Sequence, residues 1–583
     1  MVLPDRVRVV RVLPDVPAIS KEFDYAVPEP WRTDGRASSI RLGTMVRIEL
    51  HGRRVAGWVT EIDPADGPDL RLLPLSKLSG IGPPGDVIDV CRWAARRWLG
   101  PVSSLLRTAS PPKMVSRISR ARPSTAVAAP DSDLVETAFS GAGSVVRVPP
   151  SGDRWPLVVG AVARGDALIV VPSVAQARII SSRLRRLGIG CALYPRDWPA
   201  AAGGGSVVGT RSVALAPVPH LSAVLMIDEH DEGYQQEQAP TWHAREIVIE
   251  RARRAGVPCV LTSPMPTLEA LSVLPLQTLN REQERSGWPL VRVVDPREDG
   301  SARGTLWTSP VVSSLRADGR VACILNRKGR SRLLSCAHCD GLAVCEECDG
   351  ALRLDQDTFE CAQGHQRPVV CSHCGGTKFK NLRVGVTRAR EELEVLLREP
   401  VVEVTADTND EALNRSRVMV GTEALLHRVD ELSAVAFVDF DQELSAPRYR
   451  AGEQALAQLV RAGRLVGGRR EGRGEVLVQT RQPNHPIVTA AVNADVEPWT
   501  EVDRTRRELL GYPPFRTLAE VSGPGAEELM TNMGTPLGVE ILGPRDGRWL
   551  IKAEAPEMLS QAFDGVERPK SRTRVSVDPL RLF

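Results

Sequence analysis

Residues 166–188, "DALIVVPSVAQARIISSRLRRLG", change periodicity within a few positions. "DALIVVPS" is a short continuous apolar run, as a strand buried on both faces requires. The residues after it place apolar side chains at helical spacing and stop at a glycine. Outward from this unit the alternation continues. "SVVGT" (206–210), "AVLMIDEH" (223–230) and "PCVLTS" (258–263) read as strands, with the helix "AREIVIERARRAG" (244–256) between the last two. A second series follows: the strand "RVACILN" (320–326), the helix "TRAREELEVLLRE", and the strands "VVEVT", "RVMVGT", "AVAFVDF" and "GEVLVQT". Strands alternating with helices predict parallel, doubly wound sheets with right-handed crossovers. Two series in one chain predict a multidomain α/β protein with the two lobes of a nucleotide-dependent machine.

The second series is interrupted by "CAHCDGLAVCEECDGALRLDQDTFECAQGHQRPVVCSHCGG" (336–376), which holds seven of the 11 cysteines. A Cys-x2-Cys pair presents two thiolates from one tight knuckle, and two knuckles complete a tetrahedral zinc site. Disulfides are disfavoured by the odd count and by an expected reducing compartment. Two zinc ions need eight ligands, and Cys361 has Gly364 where a partner cysteine would stand. His365 is the expected eighth ligand. We assign Cys336, Cys339, Cys371 and Cys374 to one site, and Cys345, Cys348, Cys361 and His365 to the other. His338 and His373 lie inside complete knuckles and are expected to point outward. Cys91, Cys191, Cys259 and Cys323 sit in apolar settings and read as core residues.

The 583 residues suffice for several domains. With 42% hydrophobic and 25% charged residues, the composition is that of a globular protein. The charged start and the lack of a long apolar run predict a cytoplasmic protein with no membrane contact. Net charge is only +3, yet arginines and lysines collect in runs: Lys113, Arg117, Arg120 and Arg122; Arg320, Arg327, Lys328, Arg330 and Arg332; Arg461, Arg464, Arg469, Arg470 and Arg473. One such run is ordinarily a solvated face; three favour an anionic partner such as nucleic acid. Before residue 100, "VRVVRVLPDVP" and "TMVRIELHGRRVAGWVTEID" alternate like antiparallel strands. "SPPKMVSRISRARPSTAVAAP" (110–130) reads as an extended basic linker.

The chain resembles the primosomal protein N′ (PriA) family of bacterial replication restart helicases along nearly its whole length. "KEFDYAVPEP" and "GRRVAGWV" are similar to the family's N-terminal domain. The stretch from "VVGTRSVALAP" to "TWHAREIVIERA" is similar to its first helicase lobe. The paired cysteine knuckles match its zinc module, and "RRELLGYPPF" and "VSVDPLRLF" its C-terminal domain. The resemblance implies an N-terminal 3′-end DNA-binding domain at 1–109, a basic linker at 110–135 and a RecA-like lobe at 136–295. It further implies a second lobe at 296–335 and 377–485, the zinc module at 336–376 and a small α/β C-terminal domain at 486–583.

Residue by residue, the motor departs from the family. A phosphate loop needs glycines, a lysine and a Ser/Thr so that backbone N–H groups and the lysine cradle the phosphates. Here the chain reads "VPPSGDRWPL" (148–157), with two prolines, no lysine and an acidic Asp153. Asp228, Glu229 and His230 remain from the family's acidic motif as degenerate remnants. "TSPMPT" (262–267) has Pro264 and Met265 where the family has small residues. In "RAGRLVGG" (461–468), Leu465 and Gly468 stand where two arginines belong. ATP and Mg²⁺ are not expected as cofactors. The DNA-reading part is better kept: the family's pocket motif matches Phe23, Asp24 and Tyr25, where an aromatic ring would stack a terminal base and a carboxylate would accept the 3′-hydroxyl. His51 departs from the family's glycine. The expected function is a replication restart scaffold that binds forked and single-stranded DNA. It would work with helicase-loading proteins and single-stranded DNA-binding protein to reload the replicative helicase. The alternatives are an active 3′→5′ helicase and a non-replicative nucleic-acid-binding paralogue.

Overall fold

The computed structural model describes residues 8–65, 72–121, 124–299, 306–325, 333–347, 350–355, 357–361, 364–381, 386–405, 407–472 and 474–582. Cys348, Arg122, Arg327, Lys328, Arg330, Arg332 and Arg473, singled out above, lie outside the described residues. The chain divides into two compact units: Met1–Val146, Arg154–Gln277 and Arg507–Leu580 form one, and Arg147–Asp153, Thr278–Arg506 and Arg581–Phe583 the other.

The first unit begins with a five-stranded antiparallel sheet. Its spatial order is Phe23–Ala26, Val9–Pro14, Arg53–Ile62, Met45–Leu50, Lys77–Gly80. Alternation places Val10, Val12, Tyr25, Val46 and Ile48 on one apolar face. His51 turns the hairpin at φ 49°, a left-handed conformation that Asn, Asp and His adopt more readily than other non-glycine residues. The helices Gly85–Arg97 and Val102–Ala109 follow, and the Trp58 indole N–H donates to the Ser110 hydroxyl at 2.9 Å. Residues 110–132 contain no helix or strand among those described. They are pinned along their course: the Ser119 N–H donates to the Pro199 carbonyl, and the Thr125 N–H to that of Gly188.

The unit's second sheet has seven strands. Leu221–Met226 lies parallel between Asp166–Val170 and Cys259–Ser263, and Ser206–Gly209 and Cys191–Leu193 extend it, also parallel. Cys259–Ser263 is buried at every position, as the continuous apolar run anticipates. The expected helices stand at Val174–Arg186 and Ala244–Ala255. A four-stranded antiparallel sheet, Thr517–Ser522 to Arg574–Val577, closes the unit. Arg97 links all three parts, donating to Glu246 at 2.8 Å and to Asp578 at 2.7 Å.

The second unit is built on a six-stranded sheet, parallel throughout. Its order is Leu290–Val294, Glu475–Gln479, Ala434–Phe437, Val321–Ile324, Val418–Gly421, Val401–Val404. Leu290–Val294, expected in the first lobe, joins this sheet because its partner Glu475–Gln479 lies far along the chain. The helix Pro486–Asn493, expected in the C-terminal domain, also belongs to this unit. The cysteine-rich stretch leaves the sheet after Val321–Ile324 and returns before the helix Val386–Leu397. Cys91, Cys191, Cys259 and Cys323 are all buried; burial pushes the Cys259 thiol up to about 12. Among the described residues no helix is long and apolar enough to cross a membrane.

Candidate functional site

Three features carry chemistry: the cysteine knuckles, the stretch where a phosphate loop would stand, and one edge of the N-terminal sheet.

The knuckles share one backbone pattern. The Cys336 N–H donates to the Gly341 carbonyl, that of Cys371 to Gly376 and that of Cys345 to Gly350, each at 2.8 Å. At Cys361 the loop closes one residue sooner, on the His365 carbonyl at 3.0 Å, with Gly364 at φ 90°. That tighter turn brings the side chain at i+4, His365, to the position a cysteine fills elsewhere. Cys336, Cys339, Cys371 and Cys374 gather into one cluster, and Cys345, Cys361 and His365 into another. Within the first, the Cys336–Cys374 and Cys339–Cys371 sulfurs are 3.6 Å apart. Tetrahedral thiolates at about 2.3 Å from one metal ion stand about 3.8 Å apart, so these clusters fit a metal. In the second, His365 Nδ1 lies 3.5 Å from the Cys345 sulfur, and its Nε2 lies 3.4 Å from Glu347. A carboxylate on the outer nitrogen is the support that metal-binding histidines ordinarily have. The sequence reading missed Glu347; its place directly before Cys348 was the available signal. His338 and His373 are exposed and belong to neither cluster.

In "VPPSGDRWPL", residues 149–152 offer no free N–H to a phosphate. Pro149 and Pro150 have no N–H. The Ser151 N–H and hydroxyl both donate to the Gly287 carbonyl at 3.0 Å, and the Gly152 N–H donates to the Pro149 carbonyl at 2.9 Å. A Cβ on Gly468 would stand 2.5 Å from both the Ser151 hydroxyl and the Ser286 carbonyl, so no arginine fits there. Leu465 is buried, Arg461 donates to the Leu426 carbonyl at 2.9 Å, and Arg464 to the Pro150 carbonyl at 3.3 Å.

Asp228, Glu229 and His230 each have partners within the fold. The Arg154 guanidinium lies 3.5 Å from Asp228, which is buried and strained at φ 57°. Glu229 is fully buried. Its oxygens accept the Thr267 N–H and the Thr267 hydroxyl at 2.8 Å and the Arg245 guanidinium at 2.9 Å. Burial pushes the Glu229 carboxyl up, against the pull of Arg245 and the Thr267 donors. His230 Nδ1 is 2.8 Å from the Ser263 hydroxyl.

On the N-terminal sheet, successive side chains alternate between faces. Phe23 and Tyr25 therefore share the apolar face. Tyr25 is a core residue, 3% exposed, and donates its hydroxyl to the Glu49 carbonyl at 2.8 Å; Phe23 packs at the margin, with the Lys21 ammonium 5.8 Å from its ring centre. Asp24 takes the opposite face. Arg11 grips both of its oxygens, at 2.9 and 3.2 Å, and also donates to Glu61 at 2.8 Å. The structure thus separates Asp24 from the two aromatic rings and reveals Arg11 as its holder, a pairing set by cross-strand register.

The family model of the PriA 3′DNA-binding domain matches residues 11–111. "Replication restart protein PriA" of Bacillus subtilis is 28% identical over 346 residues, 54% of this chain and 43% of that protein. The PriA of Thermotoga maritima is 28% identical over 436 residues, 67% of this chain and 58% of that protein. "Probable replication restart protein PriA" of Mycobacterium leprae is 26% identical over 604 residues, 91% of this chain and 90% of that protein. The chain thus matches about half the length of the first of these relatives and nearly all of the last.

Proposed function

We propose that this chain, a relative of the replication restart PriA proteins along nearly its whole length, binds stalled or abandoned replication forks and promotes primosome assembly without a motor of its own. The observation that carries this reading is the match of the 3′DNA-binding domain to residues 11–111, which coincide with the antiparallel sheet and its two helices. In this reading the N-terminal domain holds the leading-strand 3′ end. Asp24, oriented by Arg11, accepts the 3′-hydroxyl; Phe23 contributes apolar surface at the sheet margin; Tyr25 holds the strand in place. The two parallel-sheet lobes and the closing C-terminal sheet serve as a scaffold. The partners are forked and single-stranded DNA, helicase-loading proteins and single-stranded DNA-binding protein, in the cytoplasm at the nucleoid. Zinc, two ions per chain, is the metal whose tetrahedral sulfur and nitrogen preference suits the two clusters, and its role is to hold the module folded.

The missing N–H groups of Pro149 and Pro150, the bonded N–H groups of Ser151 and Gly152, and the pairing of Asp228 with Arg154 support the absence of a motor. The expected result is no DNA-stimulated ATP hydrolysis and no duplex unwinding. Turnover above about 1 s⁻¹, the low end for enzymes, that disappears in Asp228→Ala would restore the helicase reading.

The 3′-end reading is tested by fluorescence anisotropy on two forks. A fork with a leading-strand 3′-hydroxyl is expected to bind roughly tenfold tighter than one blocked by a 3′-phosphate, since about 1.4 kcal/mol is tenfold. Asp24→Ala should erase the difference and leave general duplex affinity nearly unchanged. Equal binding of both forks by the unaltered protein would make the non-replicative reading the better account.

A further inference from the structure

Two arginines of the third run, Arg469 and Arg470, join Arg281 and Arg285 in a cluster that the fold uses only in part. Within the second unit, the helix Arg281–Ser286, the loop after the helix Ala451–Val466, and the C-terminal end of the helix Pro486–Asn493 converge. The Arg469 N–H donates to the Trp288 carbonyl at 2.8 Å, and that of Arg470 to the Ser286 carbonyl at 3.3 Å. These contacts lay the loop along the end of the first helix, beside Arg285. The Arg469 guanidinium donates to the Val492 carbonyl at 2.7 Å, and Arg281 donates to the next two carbonyls, those of Asn493 and Ala494. Guanidiniums at a helix C-terminus satisfy its open carbonyls and its dipole.

That accounts for the placement of Arg281 and for one N–H of Arg469. It leaves two buried nitrogens of Arg469, Nε and Nη1, without a partner. It also leaves the exposed Arg285 and Arg470 side chains without one among the described residues. Asp495, 3.9 Å from Arg281, is the one carboxylate among the described residues that pairs with any of the four. Glu284, on the same helix as Arg281 and Arg285, is held by Arg147 at 2.6 Å. Burial, then the charges of Arg285 and Arg281, pull the Arg469 guanidinium below its usual range, so the cluster bears its own repulsion. Exposed guanidiniums that carry no ion pair within the fold are stabilised by a polyanion whose charges are spaced along a surface.

We propose that Arg281, Arg285, Arg469 and Arg470 form a phosphate-binding surface on the second unit that grips the nucleic-acid backbone of the fork. This rests on the fork-binding reading above. The contact is blind to base sequence and to the 3′ terminus, and it is made by phosphate oxygens on guanidinium N–H groups. Free phosphate or a triphosphate offers the same oxygens, and the experiment separates the sources.

The experiment measures fork affinity against salt for the full chain and for Arg285→Ala/Arg470→Ala. Each neutralised phosphate contributes about 0.9 to the log–log salt slope on duplex DNA. The double variant should therefore lose about 2 from the slope and bind both forks more weakly by the same factor, keeping the preference for a 3′-hydroxyl. Both side chains are exposed, so the melting temperature should not move. Arg285→Lys/Arg470→Lys should keep the slope, because a lysine still neutralises a phosphate. An unchanged slope in the alanine variant, with fork binding and 3′ preference intact in the unaltered protein, overturns this surface alone. No fork binding by the unaltered protein removes both readings. ATP or inorganic phosphate displacing the fork from the unaltered protein, but not from the alanine variant, would assign the cluster to free phosphate and overturn the backbone contact.

Discussion

Glu229→Ala is expected to destabilise the chain by about 3–5 kcal/mol, the cost of breaking a buried charged pair. Glu229 is 0% exposed and its partner Arg245 5%. Without the carboxylate, the Arg245 guanidinium remains buried beside Thr267 without the acid that accepts its hydrogen bond, and the Thr267 N–H loses its acceptor. The measurement is urea unfolding of the full chain, compared with Asp228→Ala. A carboxylate kept for catalysis would be replaceable with little loss of stability. Unchanged stability in Glu229→Ala would return the residue to the list of motor groups.

Metal removal has the second large effect. Chelation is expected to unfold the module at 336–376, because structural zinc sites contribute about 10–16 kcal/mol of apparent binding free energy that is also folding free energy. Cys336→Ser should lose one ion per chain from the four-cysteine cluster and make the module sensitive to protease. His365→Ala should weaken the other cluster while the first keeps its ion. The checks are metal analysis by mass spectrometry and limited proteolysis. One ion in the unaltered protein, or His365→Ala indistinguishable from it, would show that His365 is no ligand.

Legibility differed from feature to feature. The parallel sheets could be read because a strand buried on both faces must be apolar at consecutive positions, and "DALIVV", "AVLMI" and "CVLTS" are. The metal clusters could be read because a knuckle's two ligands lie within one turn of each other. The missing donors at 149 and 150 are a covalent fact: Pro149 and Pro150 have no N–H in any fold. These are short-range properties, complete within a few residues, and the sequence alone determines them.

The tertiary structure decided the rest. Leu290–Val294 is an unremarkable apolar run whose sheet depends on Glu475–Gln479, some 185 residues away. "FDYA" could turn either face to the core; register against Val9–Pro14 buries Tyr25 and puts Asp24 opposite Arg11. "DEH" carries the same side chains in a catalytic site as in a structural one, and only the tertiary structure brings Arg154, Arg245, Thr267 and Ser263 to it. The four arginines at 281, 285, 469 and 470 are two unremarkable pairs until the helix Pro486–Asn493 offers its terminal carbonyls to one of each. In every case the outcome depends on which distant groups lose water together. That free energy is summed over the whole packed chain, so no local window of sequence contains it.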